Sequence, residues 1–356
     1  MGGGVEFSFA SVINEGIKFM MLMSIFVFVP LKKHECDKLF RIIFILTFAA
    51  SILYLIQCFT GQAILPMSKF QEEEGGVEAI GGVYRFLFTP AFMTVLIPIS
   101  IFCKKLVPKQ LRYISPIVFL AGRFCTLYRT AIATSLLCIL LVMFFKGSFT
   151  KMFKAAAVLL VIYLVFGNAF SERLAKGNNS TANDISALMR GDFNQARSDV
   201  SNGLTLMYRI GWVIERGAYL ITSPVELLMG LPMTSDAKFW HRNYDFRFGL
   251  RDKETGYIDQ ANTPDISYGM MMTRYGLIGT FFLLRMCYMM MKRLYMHRGD
   301  NELALALFCL LLSGFVGAIA GTSLSDPYAW TNTYFLYIYV MKMIEYDRER
   351  IKYSRL

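Results

Sequence analysis

The chain has 356 residues, of which 55% are hydrophobic and only 18% are charged, and its net charge is +11. An ordinary soluble domain carries about 25% charged residues, so this composition, with a mean hydropathy of +0.44, excludes that class. The apolar residues form runs that approach the roughly 20 residues needed to cross a bilayer. The sequence therefore predicts an all-α polytopic membrane protein.

Apolar segments separated by polar loops predict nine transmembrane helices. Six of them precede a long polar stretch and three follow it. Their predicted ranges are 14–30, 39–58, 86–103, 113–124, 129–145, 154–170, 268–290, 303–322 and 332–344. This order divides the chain into an N-terminal bundle at 1–170, a large loop at 171–267, and C-terminal helices with a tail at 268–356.

Lysine and arginine are concentrated in alternate short loops, which predicts the orientation of the chain. The residues around Lys32, Lys104, Lys146 and Lys292 and the C-terminal tail are basic, whereas residues 1–13 and 323–331 contain no lysine or arginine. Cytoplasmic loops carry the excess of basic residues. The bias therefore places the C-terminus in the cytoplasm and the large loop outside.

The cysteines and histidines carry no metal-site signature. Seven cysteines are scattered along the chain, mostly in or beside apolar segments, without a Cys-x-x-Cys spacing, and the three histidines are isolated. Such cysteines are more often small buried apolar residues than ligands or disulfide partners. The sequence therefore predicts no metal and no cofactor.

The large loop is rich in arginine. Residues 171–267 contain eight arginines but three lysines, together with twelve acidic residues. The planar guanidinium grips phosphate oxygens two at a time and stays charged. The loop also contains a predicted amphipathic helix near 204–221, on which Arg209, Trp212 and Arg216 share one face. Its apolar face is expected to lie toward lipid or the bundle.

Two further arginines stand at outer ends of predicted spans. Arg85 precedes the third span and Arg129 begins the fifth. Singly, each has an ordinary explanation, because basic side chains at span ends reach to the interface. Together they run against the positive-inside bias. With Arg209 and Arg216 they form a candidate anion site on the outer side.

An acidic residue lies where the loop enters the seventh span. Asp265 is three residues before Tyr268, and Arg274 lies two turns further in. A carboxylate there is a candidate general base for a hydroxyl proton. The alternative is that Asp265 merely caps the helix, and the residues by themselves favour the cap.

The order of these motifs resembles a known family. The chain contains, in order, Tyr128-Arg129-Thr-Ala-Ile-Ala, then Arg209-x-x-Trp212, Pro224-Val-Glu-Leu-Leu-Met-Gly230, Asn262-x-x-Asp265-x-x-Tyr268 and Arg274-Tyr-Gly276-Leu-Ile-Gly279. This order resembles the O-antigen polymerase and O-antigen ligase superfamily of bacterial envelope proteins. The resemblance covers roughly Arg85 to Cys309.

The resemblance implies a metal-independent inverting glycosyltransferase with a glycosyltransferase C-type helical bundle. Its donor is an oligosaccharide on undecaprenyl pyrophosphate. By resemblance, Arg129 and Arg209 bind the pyrophosphate, Arg85 and Arg216 support them, and Asp265 deprotonates the acceptor. The remaining expected substrate-binding residues are Asn262, Tyr268 and Arg274. The ligases carry a histidine just before the span that Tyr268 begins, and its absence here favours a polymerase.

The resemblance also implies a location and partners. We expect a multi-pass protein of the bacterial inner membrane with the large loop in the periplasm, in contact with the lipid bilayer and with a chain-length regulator protein. Nucleic acid is not expected, since topology already explains the basic residues. Two alternatives stay open: an O-antigen ligase acting on lipid A-core, and a transporter of polysaccharide or lipid-linked substrate.

Overall fold

The computed structural model describes residues 20–67, 77–147, 205–231, 266–319 and 327–353, with a few isolated positions outside these ranges. Ten α-helices and one two-stranded antiparallel sheet lie within them. The chain is mostly helical, which confirms the predicted all-α class. The predicted span at 154–170 lies outside the described residues.

The elements follow one another along the chain with short turns between most of them. Short 3₁₀ turns occur at Met21–Met23 and Lys109–Leu111. The regular elements are α1 Ile25–Phe28, α2 Lys33–Thr60, β1 Glu78–Ile80, β2 Val83–Arg85, α3 Met93–Phe102, α4 Ile114–Cys125, α5 Arg129–Phe145, α6 Thr205–Thr222, α7 Pro224–Met229, α8 Ser267–Met296, α9 Glu302–Gly317 and α10 Pro327–Tyr353.

One helix, α2, is long and apolar enough to cross a membrane among the described residues. Four other apolar helices, α3, α4, α5 and α9, have only 10–17 residues. Within the predicted first span, the described residues form a 3₁₀ turn at Met21–Met23 and a four-residue helix at Ile25–Phe28. The long helix α8 contains Arg274 and Arg285, which lower its hydropathy. The described residues therefore do not support nine spans.

The chain forms two compact units, which we name by their contents. The bundle unit comprises Met23–Arg173, Met290–Gly317 and Ala329–Leu356. The arginine unit comprises Met1–Leu22, Leu174–Met289 and Ala318–Tyr328. Contacts between residues thus group the chain differently from the predicted boundaries at 170 and 267. The start of α8 belongs to the same unit as the arginine-rich segment.

In the bundle unit, α2 is closed at both ends by local hydrogen bonds. The Glu35 carboxylate accepts the Lys32 N–H at 2.7 Å. At the other end Gly61 adopts the left-handed conformation with φ 75° and donates to the Gln57 carbonyl at 2.9 Å. Glycine is needed there, since a Cβ would lie 2.8 Å from the Tyr84 ring,.

The bundle core is formed where α2, α4 and the β1–β2 hairpin meet. Tyr54 of α2 is fully buried and its hydroxyl donates to the Phe86 carbonyl at 3.0 Å. The buried cluster around it contains Tyr54, Cys58, Ile80, Val83, Phe86, Phe124, Cys125, Leu127 and Ile132. This cluster holds the hairpin that ends at Arg85 and the turn that leads to Arg129.

The helices α5 and α9 pack closely against each other. Gly317 has no side chain, and this leaves room for Thr134, whose Cβ lies 3.4 Å from the position that a Cβ at Gly317 would take. Asn301 caps α9, since its side-chain oxygen accepts the Leu303 and Ala304 N–H groups at 2.9 and 3.1 Å,. The Lys146–Glu302 ion pair, at 2.8 Å, joins the same two helix ends.

Candidate functional site

The arginine face of α6 is turned inward. Trp212 is fully buried and Arg216, one turn later, is 2% exposed. The Arg216 guanidinium lies 4.9 Å from the centroid of the Trp212 ring, a cation–π arrangement,. The predicted helix is thus found at Thr205–Thr222, but its arginine-bearing side is the buried one.

The apolar side of α6 is correspondingly exposed. Val213, Ile214 and Ile221 are 42%, 57% and 74% exposed, and Val225 of α7 is 74% exposed. Leu220 of the same helix is instead buried, in a cluster with Tyr219 and Leu231. Exposed apolar side chains on adjacent helices are typical of a membrane or protein contact surface.

The start of α8 provides the surface that receives Trp212. A Cβ added at Gly269 would lie 2.7 Å from the Trp212 ring, so the indole packs on the bare backbone of α8. Further along the same helix, Arg274 is buried, with 4% exposure. The tertiary structure thus joins the Arg209-x-x-Trp212 motif to the segment that contains Tyr268 and Arg274.

The Trp212 indole N–H is a buried donor that has no acceptor among the residues the structure describes. A buried donor left without an acceptor costs about 1–3 kcal/mol. Arg216 pairs with the neighbouring Glu215 carboxylate. The arrangement therefore offers an indole donor beside the buried Arg216 guanidinium, and an anionic oxygen would satisfy that donor.

Two glycines bring the next pair of motifs into backbone contact. Gly276 interrupts α8 with φ 61° and ψ −170°, and Gly230, after α7, has φ 83°. A Cβ at Gly276 would lie 2.5 Å from the Gly230 nitrogen, and one at Gly230 would lie 2.8 Å from the Gly276 nitrogen. The two backbones therefore cross where no other residue fits.

A hydrogen bond secures this crossing. The Leu231 N–H donates to the Thr273 carbonyl at 2.7 Å. In a regular helix the Thr273 carbonyl would accept the N–H of Leu277. Because Gly276 interrupts the helix, this carbonyl can instead accept the N–H of Leu231, which follows α7. This crossing fixes the direction in which α8 leaves the buried Arg274.

Ser267 anchors the first turn of α8 to the segment after α9. Its N–H donates to the Ala318 and Gly321 carbonyls at 3.1 and 3.0 Å, and its hydroxyl donates to Gly321 at 2.6 Å. The hydroxyl also accepts the Leu324 N–H at 3.2 Å. Ser267 is fully buried, and these bonds fix the helix end that carries Tyr268.

The other two predicted arginines belong to the bundle unit. Arg85 is half-buried at the end of β2, and Arg129 is exposed as the first residue of α5. A positive charge at a helix N-terminus opposes the helix dipole by about 0.3–1 kcal/mol. The position of Arg129 is therefore unfavourable for the helix itself, which is consistent with a role in binding an anion.

The turn before Arg129 is strained and tightly held. Leu127 has φ 50°, a value that a residue with a side chain rarely adopts, and it is 3% exposed,. Arg123 closes the turn from the α4 side, because its Nε donates to the Ala131 carbonyl at 3.2 Å. Strain of this kind, about 1–3 kcal/mol, recurs at functional sites.

The predicted site residues thus fall into three groups. Arg209, Arg216, Tyr268 and Arg274 lie in the arginine unit, with Arg209 half-buried. Arg85 and Arg129 lie in the bundle unit. Asn262 and Asp265, including the candidate base, lie outside the described residues.

Sequence reasoning missed the roles of Ser267, Arg123 and the glycine pair. Gly230 and Gly276 were present in the quoted motifs, but their mutual contact depends on residues 46 positions apart. The sequence signal that could have predicted this contact is a glycine, Gly276, inside an apolar helix pattern. Among the described residues, no group of three or more His, Cys, Asp or Glu side chains is arranged to hold a metal ion.

Comparison with known proteins yields no relative. No protein-family model matches this chain, and neither curated proteins nor solved structures give a match.

Proposed function

We propose that the chain is a polymerase of a bacterial surface polysaccharide. It transfers a glycan from undecaprenyl pyrophosphate to a hydroxyl of an acceptor lipid-linked repeat unit, outside the inner membrane and without a metal ion. The observation that carries the proposal is the buried pair of Trp212 and Arg216, with Arg274 also buried in the same unit. Buried arginines beside an unmet donor favour a ligand with several anionic oxygens, as a pyrophosphate has.

The chemistry needs that anion site at the leaving group. The acceptor oxygen attacks the anomeric carbon, the bond to the pyrophosphate oxygen breaks, and the hydroxyl proton passes to a base. Negative charge grows on the pyrophosphate as this bond breaks, and fixed guanidinium groups stabilise it. Arg209 and Arg216 are assigned to the pyrophosphate, and Asp265 is assigned as the base. For Arg129 the assignment is the one that the resemblance implies.

The proposal extends to the membrane arrangement. We infer a multi-pass inner-membrane protein with a glycosyltransferase C-type bundle, the arginine-rich loop in the periplasm and the C-terminus in the cytoplasm. The long apolar helix α2 supports membrane insertion. The exposed apolar side chains of α6 and α7 support contact of the arginine unit with a lipid surface, where a polyprenyl carrier resides.

Arginine substitutions test the anion site. In a strain that depends on this gene, Arg209→Ala and Arg129→Ala are each expected to reduce glycan polymerisation by about 10²–10³, the usual loss for one such contact. Arg216→Lys keeps the charge but loses the planar fork and its stacking on Trp212,, so it should also reduce chain elongation. Surface glycan ladders on a gel measure the effect.

A matched control is available on α8. Arg285 is exposed and its guanidinium lies 5.7 Å from the ring of its neighbour Tyr288. Arg285→Ala should leave the ladder unchanged. Unchanged ladders in both Arg209→Ala and Arg129→Ala, with the protein present in the membrane, would refute the pyrophosphate assignment. Near-normal elongation in Asp265→Asn would reduce Asp265 to a helix cap.

A transporter is the second candidate, because α8 is a broken helix. Transporters commonly place substrate where a membrane helix is interrupted, and Gly276 interrupts α8 next to Arg274. Deletion of the gene separates the candidates. A polymerase deletion leaves single-repeat glycan on lipid A-core, a ligase deletion leaves long chains on the carrier, and a transporter deletion leaves single repeats on the cytoplasmic face.

A further inference from the structure

Two of the seven cysteines lie side by side in the bundle unit. Cys58 of α2 and Cys125 of α4 belong to one buried cluster, and both are fully buried. The two helices pack directly against each other. Both cysteines are free and buried in the structure, and both side chains belong to the cluster around Tyr54. Residues 67 positions apart in the chain thus present a pair of neighbouring sulfur atoms.

Their place in the helices puts the pair at one end of the bundle. Cys58 lies two residues before the end of α2, and Cys125 is the last residue of α4. At the opposite ends, Lys32 precedes α2, Lys33 begins it, and Arg112 precedes α4. One basic residue, Arg123, lies in the last turn of α4 near Cys125. By the positive-inside bias, the Cys58–Cys125 end faces the extracytoplasmic side, where disulfides form and persist.

The other five cysteines lack this combination. Cys36 and Cys103 lie at the lysine-rich ends of α2 and α3. Cys138, Cys287 and Cys309 lie within α5, α8 and α9, away from the helix ends. Of the described cysteines, therefore, only Cys58 and Cys125 are both adjacent to each other and at the outer end.

We propose that Cys58 and Cys125 form a disulfide bond in the mature protein. A thiolate of one cysteine attacks the disulfide of an extracytoplasmic thiol–disulfide oxidoreductase, and a mixed disulfide forms as one oxidoreductase thiolate leaves. The second cysteine then attacks the mixed disulfide. The products are the Cys58–Cys125 disulfide and the reduced oxidoreductase dithiol, which takes up the two electrons and two protons.

The order of assembly makes this reaction accessible. Both thiols are buried once α4 has packed on α2, so exchange takes place before that packing is complete. Afterwards the same burial shields the bond from reductants. Bond formation brings the two sulfurs to about 2.05 Å.

The bond would hold the turn that presents Arg129. Cys125 is two residues before the strained Leu127 and four before Arg129. A covalent link from α4 to α2 at this point restrains the turn against the energy stored at Leu127. The inference rests on the topology in the proposed function but not on its chemistry.

Thiol counting in the wild-type protein tests the disulfide directly. Membranes are quenched in acid, and the denatured protein is alkylated before and after reduction and then digested for mass spectrometry. We expect two of the seven cysteines to resist alkylation until a reductant is added, and we expect one linked peptide pair containing Cys58 and Cys125. Equal labelling of Cys58 and Cys138 before reduction would overturn the proposal.

Cys138 and Cys309 serve as a matched internal control. They are neighbours on α5 and α9 and are also fully buried, but they lie within the helices and should label completely without reduction. A linked Cys138–Cys309 peptide in place of the Cys58–Cys125 pair would also refute the proposal, since contact and burial would then suffice without the outer position.

A stability measurement gives an independent readout. Heating opens the buried cluster and exposes the bond. Dithiothreitol present during the thermal scan should therefore lower the unfolding temperature of the wild-type protein but not that of Cys125→Ser, and Cys138→Ser should respond like the wild type. An unfolding temperature that is insensitive to reductant in the wild type would contradict the bond. The thiol count is independent of the glycan ladder, so a failure here is distinguishable from a failure of the polymerase assignment.

Discussion

The crossing of Gly230 and Gly276 makes a quantitative prediction about stability. Gly276→Ala must place a side chain at φ 61° and 2.5 Å from the Gly230 backbone nitrogen. This combination of φ and ψ is one that essentially only glycine adopts, and it costs about 1–3 kcal/mol for alanine. Forcing two backbones apart costs about 1–3 kcal/mol. Alanine recovers about 0.4–1 kcal/mol through the smaller entropy of its unfolded chain. We expect a net loss of about 3 kcal/mol.

Two other glycines separate the contributions to this loss. Gly217 in α6 has nothing within 4 Å of an added Cβ, so Gly217→Ala should stabilise the helix by about 0.5–1 kcal/mol. Gly82 has φ 80° with nothing within 4 Å, so Gly82→Ala should cost only the backbone term of about 1–2 kcal/mol. A larger loss in Gly276→Ala than in Gly82→Ala is expected from the close backbone contact at Gly276.

Two measurements read out the effect. Thermal unfolding of the detergent-solubilised variants, followed by tryptophan fluorescence, ranks their stability. Hydrogen exchange then reports locally on the Leu231 amide, which donates to the Thr273 carbonyl at 2.7 Å. This amide should exchange faster in Gly276→Ala. Wild-type stability together with a protected Leu231 amide in that variant would refute the backbone crossing.

Two further substitutions probe the polar contacts. Ser267→Ala removes the hydroxyl that donates to the Gly321 carbonyl at 2.6 Å and should cost about 1–3 kcal/mol, with faster proteolysis of the segment after α9 as the local signal. Tyr339→Phe removes the bond to the Asp37 carboxylate at 2.6 Å and should cost about 2 kcal/mol in thermal unfolding. The exposed Tyr346→Phe is its control, and equal losses in the two tyrosine variants would contradict the reasoning.

The local elements were the most predictable part of the fold. The predicted helix at 129–145 is observed with the same bounds, and the predicted helix near 204–221 begins and ends within one residue of its prediction. Hydrophobic periodicity and turn residues are local signals, so they indicate where a helix lies. They do not indicate its partner, and the span count therefore exceeded what the described helices support.

The candidate site was predictable as a set of residue types but not as an arrangement. The shared face of Arg209, Trp212 and Arg216 follows from helical spacing alone. Whether that face turns toward solvent or inward depends on what packs against it, and the bare backbone at Gly269 decides this by receiving the Trp212 ring. Nothing within the α6 sequence carries that information.

By itself, the sequence determined that the chain is helical and apolar, that its basic residues alternate between loops, and that its long polar stretch is rich in arginine. Only the tertiary structure decided that Arg216 and Arg274 are buried, that Gly230 meets Gly276, and that Cys58 meets Cys125. The physical reason is range: composition and periodicity act over one helix, whereas these contacts join residues separated by tens of positions along the chain.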